Sequence, residues 1–458
     1  MRDRAHPAPA AVPRPVVRSL ALGRWVDPAV AYAAVCGDST AAFWLDSGPD
    51  ASTGTSYLGL ASEVITDFDG PVLDWLRRAV PAPSGGSSAG FALGYVGWLG
   101  YELRAETMGV PVGHPSRYPD AAWLRVDRAL AFDHAAHRVT LLALDDLEGW
   151  RSTVEAALAV EPAVVESPVV ELPVVEPAET VTWAYTDAQY LDMIAACQAA
   201  IVEGDAYQLC LTTEASVGVS PDPVATYLAL RASSPTHHGA LIRAGSVSLL
   251  SASPEQFLAV TPQGVVTTSP IKGTRPRGAT EAGDWQLRAE LEASDKERAE
   301  NVMIVDLMRN DLARVALPGT VEVTSLLAVE SYAQVHQLVS TVRGMLADGL
   351  SGVDVIAACF PAGSMTGAPK HSATRILERL EGRARGVYSG AFGYLGFDGA
   401  VDLAMVIRSI VIDEHGATVG TGGGITALSV PAEELAEAKL KAAALLAVLG
   451  APPAPASA

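Results

Sequence analysis

The chain has 458 residues, of which 49% are hydrophobic and 18% charged, and its formal net charge is −20. That length exceeds what one simple core needs and points to several lobes or one large composite fold. The acidic balance excludes nucleic acid and anionic membrane as natural partners, and no apolar run reaches the roughly 18 residues of a membrane span.

Residues 1–18 are rich in Pro, Ala and Arg and lack the apolar stretch of a signal peptide, so they read as a frayed tail on a cytoplasmic protein. Residues 19–160 read as an α+β lobe. Its β-type runs include Ala41 to Leu45, Phe91 to Val96 and Val139 to Leu144, and its helical runs are Val72 to Ala79 and Leu147 to Leu158. Gly94, Gly97 and Gly100 interleave with Tyr95, Trp98 and Tyr101 and mark turns between strands. Over 161–182 a Val-Val-Glu-x-Pro unit recurs every five residues. Proline at that frequency blocks helix, so the segment reads as an extended acidic linker, with an edge strand as the alternative.

Residues 183–450 mix helices and strands without a regular βαβ rhythm. Asp187 to Glu203 has helical spacing, with Tyr190, Ile194, Cys197 and Ile201 on one face. Val265 to Ile271 reads as a strand leading into a Gly/Pro turn, and Asp295 to Met308 as a long helix. Ala391 to Tyr394 and Met405 to Ile412 read as strands. Pro431 to Leu449 reads as the last helix, closed by Gly450 before a tail over 451–458. Cys36, Cys197, Cys210 and Cys359 form no CxxC pair and read as small buried residues of a reducing compartment.

Several residue patterns carry chemistry. Glu297 and Glu300 lie three apart on a helix, and Glu434 and Glu437 repeat the spacing. Two such pairs can gather oxygen ligands around a hard cation, although i,i+3 glutamates taken alone are mostly solvated surface. Lys272 stands between an apolar strand and the Gly273–Gly278 turn; there it is either a partly desolvated nucleophile or a surface lysine. Glu255, in Ser253-Pro254-Glu255, is a candidate general acid or a satisfied turn carboxylate. Gly363 to Lys370 and Gly420 to Gly424 fail the phosphate-loop and dinucleotide spacings, yet their amides can still receive a carboxylate. His336 lies in an apolar stretch, and Arg408, inside a β-branched run, requires an anionic partner.

The order of these motifs resembles the chorismate-binding enzymes, a family that includes anthranilate, aminodeoxychorismate, isochorismate and salicylate synthases. The series runs from Gly204-Asp205-Ala206-Tyr207-Gln208 through Pro270-Ile271-Lys272-Gly273-Thr274 to Lys441, covering roughly residues 185 to 448. Gly94 to Glu102 extends it weakly into the first lobe. The resemblance implies a large composite α/β sandwich of the anthranilate synthase component I type, with chorismate and Mg²⁺ bound in a cleft. It assigns metal binding to Glu297, Glu300, Glu434 and Glu437, with Glu300 and Glu437 as direct ligands. It gives substrate carboxylates to Arg408, Tyr394, Gly422 and Gly424, and the walls around the reacting ring to Thr366 and His336.

Two positions discriminate within the family. Gln208 stands where water-using members carry a lysine, and a neutral amide is a poor base. Lys272 stands where anthranilate synthases carry alanine, and it matches the aminodeoxychorismate synthases, in which the lysine is proposed to attack the ring. The resemblance thus implies amination of chorismate toward 4-aminobenzoate and folate, with Glu255 as acid and ammonia from a glutamine amidotransferase partner. Anthranilate synthase component I and a non-catalytic regulatory paralogue are the alternatives. Leu45-Asp46-Ser47 loosely matches a tryptophan pocket of the family's first lobe. Leu428, Ala432 and Leu435 depart from the pattern around the last two glutamates.

Overall fold

The computed structural model describes residues 14–85, 90–159, 180–332 and 335–451. The pentad repeat, the first 13 residues and the last seven lie outside the described residues. Two large antiparallel sheets organise the rest. In the larger, the order runs Arg18–Ala21, Arg138–Ala143, Arg128–Asp133, Thr55–Leu60, Ala41–Asp46, His238–Ala244, Val247–Ser253, Ser409–Asp413, Gly416–Ile425, Gln208–Val217 and Gly367–Ala368, with Val181–Trp183 added beside Gln208–Val217. In the smaller it runs Ile271–Pro276, Val335–Met345, Val265–Thr268, Gln256–Val260, Val401–Met405, Ala391–Gly396, Gly94–Leu99, Ala121–Val126 and Glu63–Ile65, with Glu322–Ser331 beside Val335–Met345.

Both sheets draw strands from both halves of the chain. Ala41–Asp46 pairs with His238–Ala244, and Gly94–Leu99 pairs with Ala391–Gly396. The 161–182 segment therefore divides the sequence but not the sheets. The first strand, Arg18–Ala21, also begins inside the stretch read as a tail.

Alternation along the strands explains the layers, because neighbouring residues face opposite sides of a sheet. Phe43, Ile242 and Leu249 point between the sheets and pack with Trp98, Leu258 and Leu403 of the smaller one. Their neighbours Trp44, Leu241 and Leu250 point the other way, under Tyr32, Trp150, Tyr227 and Leu445 from four covering helices. All four cysteines are free and buried, and burial pushes the thiols of Cys36, Cys197 and Cys359 up to about 12.

Two elements differ from their sequence reading. The run expected as one strand from Met405 to Ile412 is two: Val401–Met405 closes in the smaller sheet and Ser409–Asp413 opens in the larger. Arg408 makes the crossing with φ +50, a left-handed conformation uncommon outside glycine. Likewise, Val265 to Ile271 breaks after Thr268, and Ile271–Pro276 is itself a strand on Val335–Met345. Lys272 thus sits within a strand, beside a bulge at Gly273 (φ +76) where the register shifts. A Cβ at Gly273 would come within 2.7 Å of Leu291 Cδ1, so a helix packs directly over the bulge.

Candidate active site

One cavity of about 640 Å³ is lined by strands of both sheets and by the Asp295–Ala313 and Pro431–Val448 helices. Its walls include Glu255, Lys272, Arg408, Gly422, Gly424, Glu297, Glu300, Glu434 and Glu437. Residues distant in sequence and assigned to one site by motif order therefore converge. The Ser294 hydroxyl caps the first helix by accepting the Glu297 N–H, at 3.5 Å, which fixes the turn carrying Glu297 and Glu300.

Glu255 is buried after the Val247–Ser253 strand. Burial pushes its carboxyl up, while Lys272, the Ser364 hydroxyl and the Ile271 N–H pull it partly back. A carboxyl held toward its neutral form beside a lysine is suited to donating a proton. Burial also pulls the Arg408 guanidinium down, partly offset by Tyr388 and Glu437, and no carboxylate stands within ion-pair distance of it among the described residues. The anionic partner that its burial requires is left to a ligand.

The Gly-rich strand is shaped by close approach. A Cβ at Gly420 would fall 2.1 Å from the Tyr388 ring, one at Gly422 would fall 2.2 Å from Leu211 O, and one at Gly424 would fall 2.2 Å from Gln208 Nε2. Only glycine lets this strand lie so close to its neighbours while lining the cavity.

Four expected residues do not face this cavity. His336 turns to the opposite side of its strand, where Nε2 meets Asp284 Oδ1 at 2.9 Å and Nδ1 meets the Ser331 hydroxyl at 2.8 Å. Its neighbour Gln337 faces the cavity instead. Thr366 is fully buried and donates its hydroxyl to Ala362 O at 3.1 Å. Gln208 lies behind Gly424, with its Oε1 buried and unpartnered. Tyr394 lines a second cavity of about 240 Å³ with Leu45, Asp46, Ser47, Phe392 and Asp402, and Tyr388 takes its expected place in the first. Sequence reasoning also missed Lys296, Lys441, Ser364 and Arg275. Each is one polar residue beside a recognised motif, and only folding shows which way it points.

The quartet has the donor chemistry of a magnesium site, since all four side chains offer oxygens to one space. Among the described residues, however, no three acidic groups stand close enough to hold a metal alone. That fits an ion that takes one or two carboxylates and completes its shell with substrate oxygens and water.

A family model for chorismate-binding enzymes matches residues 40–447, and the chain belongs to that family. It is 40% identical to an aminodeoxychorismate synthase of Streptomyces pristinaespiralis over 92% of its own length, and spans 64% of that relative. It is 39% identical to anthranilate synthase component 1 of Streptomyces coelicolor, over 92% of this chain and 86% of the relative. The solved anthranilate synthase component I of Streptococcus pneumoniae superposes with a TM-score of 0.73 at 26% identity, over 97% of this chain and 95% of that one. The fold is therefore of the anthranilate synthase component I type, as the motif order implied. Among the described residues, no helix is long and apolar enough to cross a membrane.

Proposed function

We propose that this chain is the synthase component of an aminodeoxychorismate synthase, converting chorismate and ammonia to 4-amino-4-deoxychorismate for 4-aminobenzoate and folate synthesis. The observation that carries this reading is that Lys272 and Glu255 line one cavity. Glu255 gives its proton to the C4 hydroxyl, which leaves as water while the Lys272 amine adds at C2 through its lone pair. Ammonia then adds at C4 and expels Lys272. Two allylic displacements restore the configuration at C4 and leave the enolpyruvyl ether intact. Arg408 and the Gly422 and Gly424 amides hold carboxylates. Glu300 and Glu437, supported by Glu297 and Glu434, would hold Mg²⁺, which when bound polarises the ring carboxylate.

A separate glutamine amidotransferase supplies the ammonia, and the reaction takes place in the cytoplasm. The second cavity, with Leu45-Asp46-Ser47 on its rim and aromatic walls from Phe392 and Tyr394, is the place for a tryptophan-like regulator. The second reading is anthranilate synthase component I, favoured by the similar identity to the Streptomyces coelicolor relative.

Incubating the protein with chorismate, Mg²⁺ and ammonium salt separates the two. The proposal expects no pyruvate, a product that yields 4-aminobenzoate only after a lyase is added, and a mass adduct on Lys272 that disappears in Lys272→Ala. Fluorescent anthranilate with released pyruvate would establish the second reading instead.

A further inference from the structure

The acidic quartet is already occupied by the protein's own cations. Lys441 Nζ lies 2.7 Å from Glu437 Oε1 and donates to Gly422 O at 3.0 Å. Lys296 Nζ lies 3.5 Å from Glu434 Oε1, and Arg275 Nη1 lies 3.8 Å from Glu297 Oε1. Of the four, only Glu300 has no ion-pair partner among the described residues, and burial pushes its carboxyl up. Glu437 and Lys441 sit four apart on one helix with the glutamate nearer the N-terminus, the orientation in which such a pair is favourable. The carbonyl of Gly422 ties the same ammonium to the Gly-rich strand, so it bridges the helix to the substrate wall.

An ammonium and a hard dication compete for the same carboxylate lone pairs, and close together they repel. We propose that Lys441 and Lys296 are resident counter-cations of the quartet, and that a divalent cation binds only by displacing them from Glu437 and Glu434. This rests on reading the quartet as the metal site. Once displaced, the Lys441 ammonium stays beside Gly422 and needs a new anion, and a substrate carboxylate is the anion the cavity receives. Cation and anionic substrate therefore bind with positive coupling, each strengthening the other by the same factor.

Binding of Mn²⁺, followed by the electron paramagnetic resonance of the free ion, tests this on the whole chain without turnover. Wild type, Lys441→Gln, Lys441→Arg, Lys296→Gln and Glu437→Gln are compared without chorismate, then with chorismate but no ammonia. Lys441→Gln and Lys296→Gln each tighten Mn²⁺ binding about two- to fivefold without chorismate, the scale of a part-exposed ion pair. Lys441→Arg keeps the wild-type affinity. Chorismate then strengthens Mn²⁺ binding less in Lys441→Gln than in wild type. Unchanged or weaker binding in both neutral lysine variants would overturn the displacement while leaving the metal site standing, provided Glu437→Gln still weakens it. If neither wild type nor any variant bound Mn²⁺, the metal reading itself would fall and take the displacement with it.

Discussion

Arg385 Nη2 donates to Glu381 Oε1 at 2.7 Å, and both side chains are buried beneath the cavity floor. The pair is tied to its surroundings on every side. Glu381 Oε1 also accepts the Thr212 N–H and hydroxyl at 2.9 Å. Arg385 donates to the carbonyls of Met365 at 2.7 Å and Cys210 at 2.9 Å, two residues that line the cavity. The Glu102 carboxylate accepts the Arg385 and Gly386 N–H groups at 2.9 Å, locking in the first-half motif that ends at Glu102. Glu381→Gln leaves the guanidinium buried without its counter-charge. It should cost about 3–5 kcal/mol, measured by urea denaturation, with chorismate turnover lost in the same variant as the floor shifts.

Glu255→Gln removes the acid and keeps the shape. A positioned general acid contributes about 10²–10⁴ in rate, so turnover with ammonia should fall by that factor while the melting temperature stays near wild type. The pH dependence follows from the direction of its shift. Burial raises this carboxyl, so the proton is retained to higher pH than on an ordinary glutamate. Wild-type kcat should then decline as pH rises through that elevated value. A basic limb that persisted unchanged in Glu255→Gln would assign the limb to another group.

What the sequence revealed and what it concealed separate along physical lines. Charged motifs are spaced by helix turns, so the two Glu-x-x-Glu pairs mark their own faces, and all four residues reach the cavity. Strand residues give no such protection, because a shift of one position reverses the side faced. That is why Gln337 rather than His336 lines the cavity. Tyr388 lies in the turn before the Ala391–Gly396 strand and Tyr394 within that strand, and only the fold decides which cavity each serves. Arg408 was legible as a charge needing an anion, but its apolar neighbours concealed a crossing between sheets. Hydrophobic alternation shows that a strand exists, not which sheet receives it, and so the interleaving of the two halves was invisible.

The Gly-rich strand offers a graded test of close approach. A Cβ at Gly422 would meet the backbone oxygen of Leu211, which cannot rotate away, whereas one at Gly424 would meet a side-chain amide. Gly422→Ala should therefore destabilise by about 1–3 kcal/mol and raise KM for chorismate. Gly424→Ala should raise KM with a smaller loss of stability, since Gln208 can shift. Thermal melts with steady-state kinetics on both variants check the ranking; equal destabilisation would place the two contacts on the same footing.

His336 and Gln337 are adjacent in the chain but serve different sides of one strand, so paired substitutions should separate stability from function. The His336 imidazole joins Asp284 and Ser331, anchoring the Glu281–Ala293 helix beside the Lys272 strand. Arg277, with the Gly278 N–H and His336, holds the Asp284 carboxyl well below its usual range. A depressed carboxylate gives stability that is complete above its unfolded value and is lost as pH falls through the folded one, so the anchor holds at neutral pH. His336→Ala should cost about 1–2 kcal/mol for the buried hydrogen bonds, with KM and kcat within a few-fold of wild type. Gln337→Ala should leave the melting temperature almost unmoved and lower kcat/KM for chorismate. Thermal denaturation and steady-state kinetics on the two variants decide the matter, and a kinetic loss confined to His336→Ala would return the ring-facing role to the histidine.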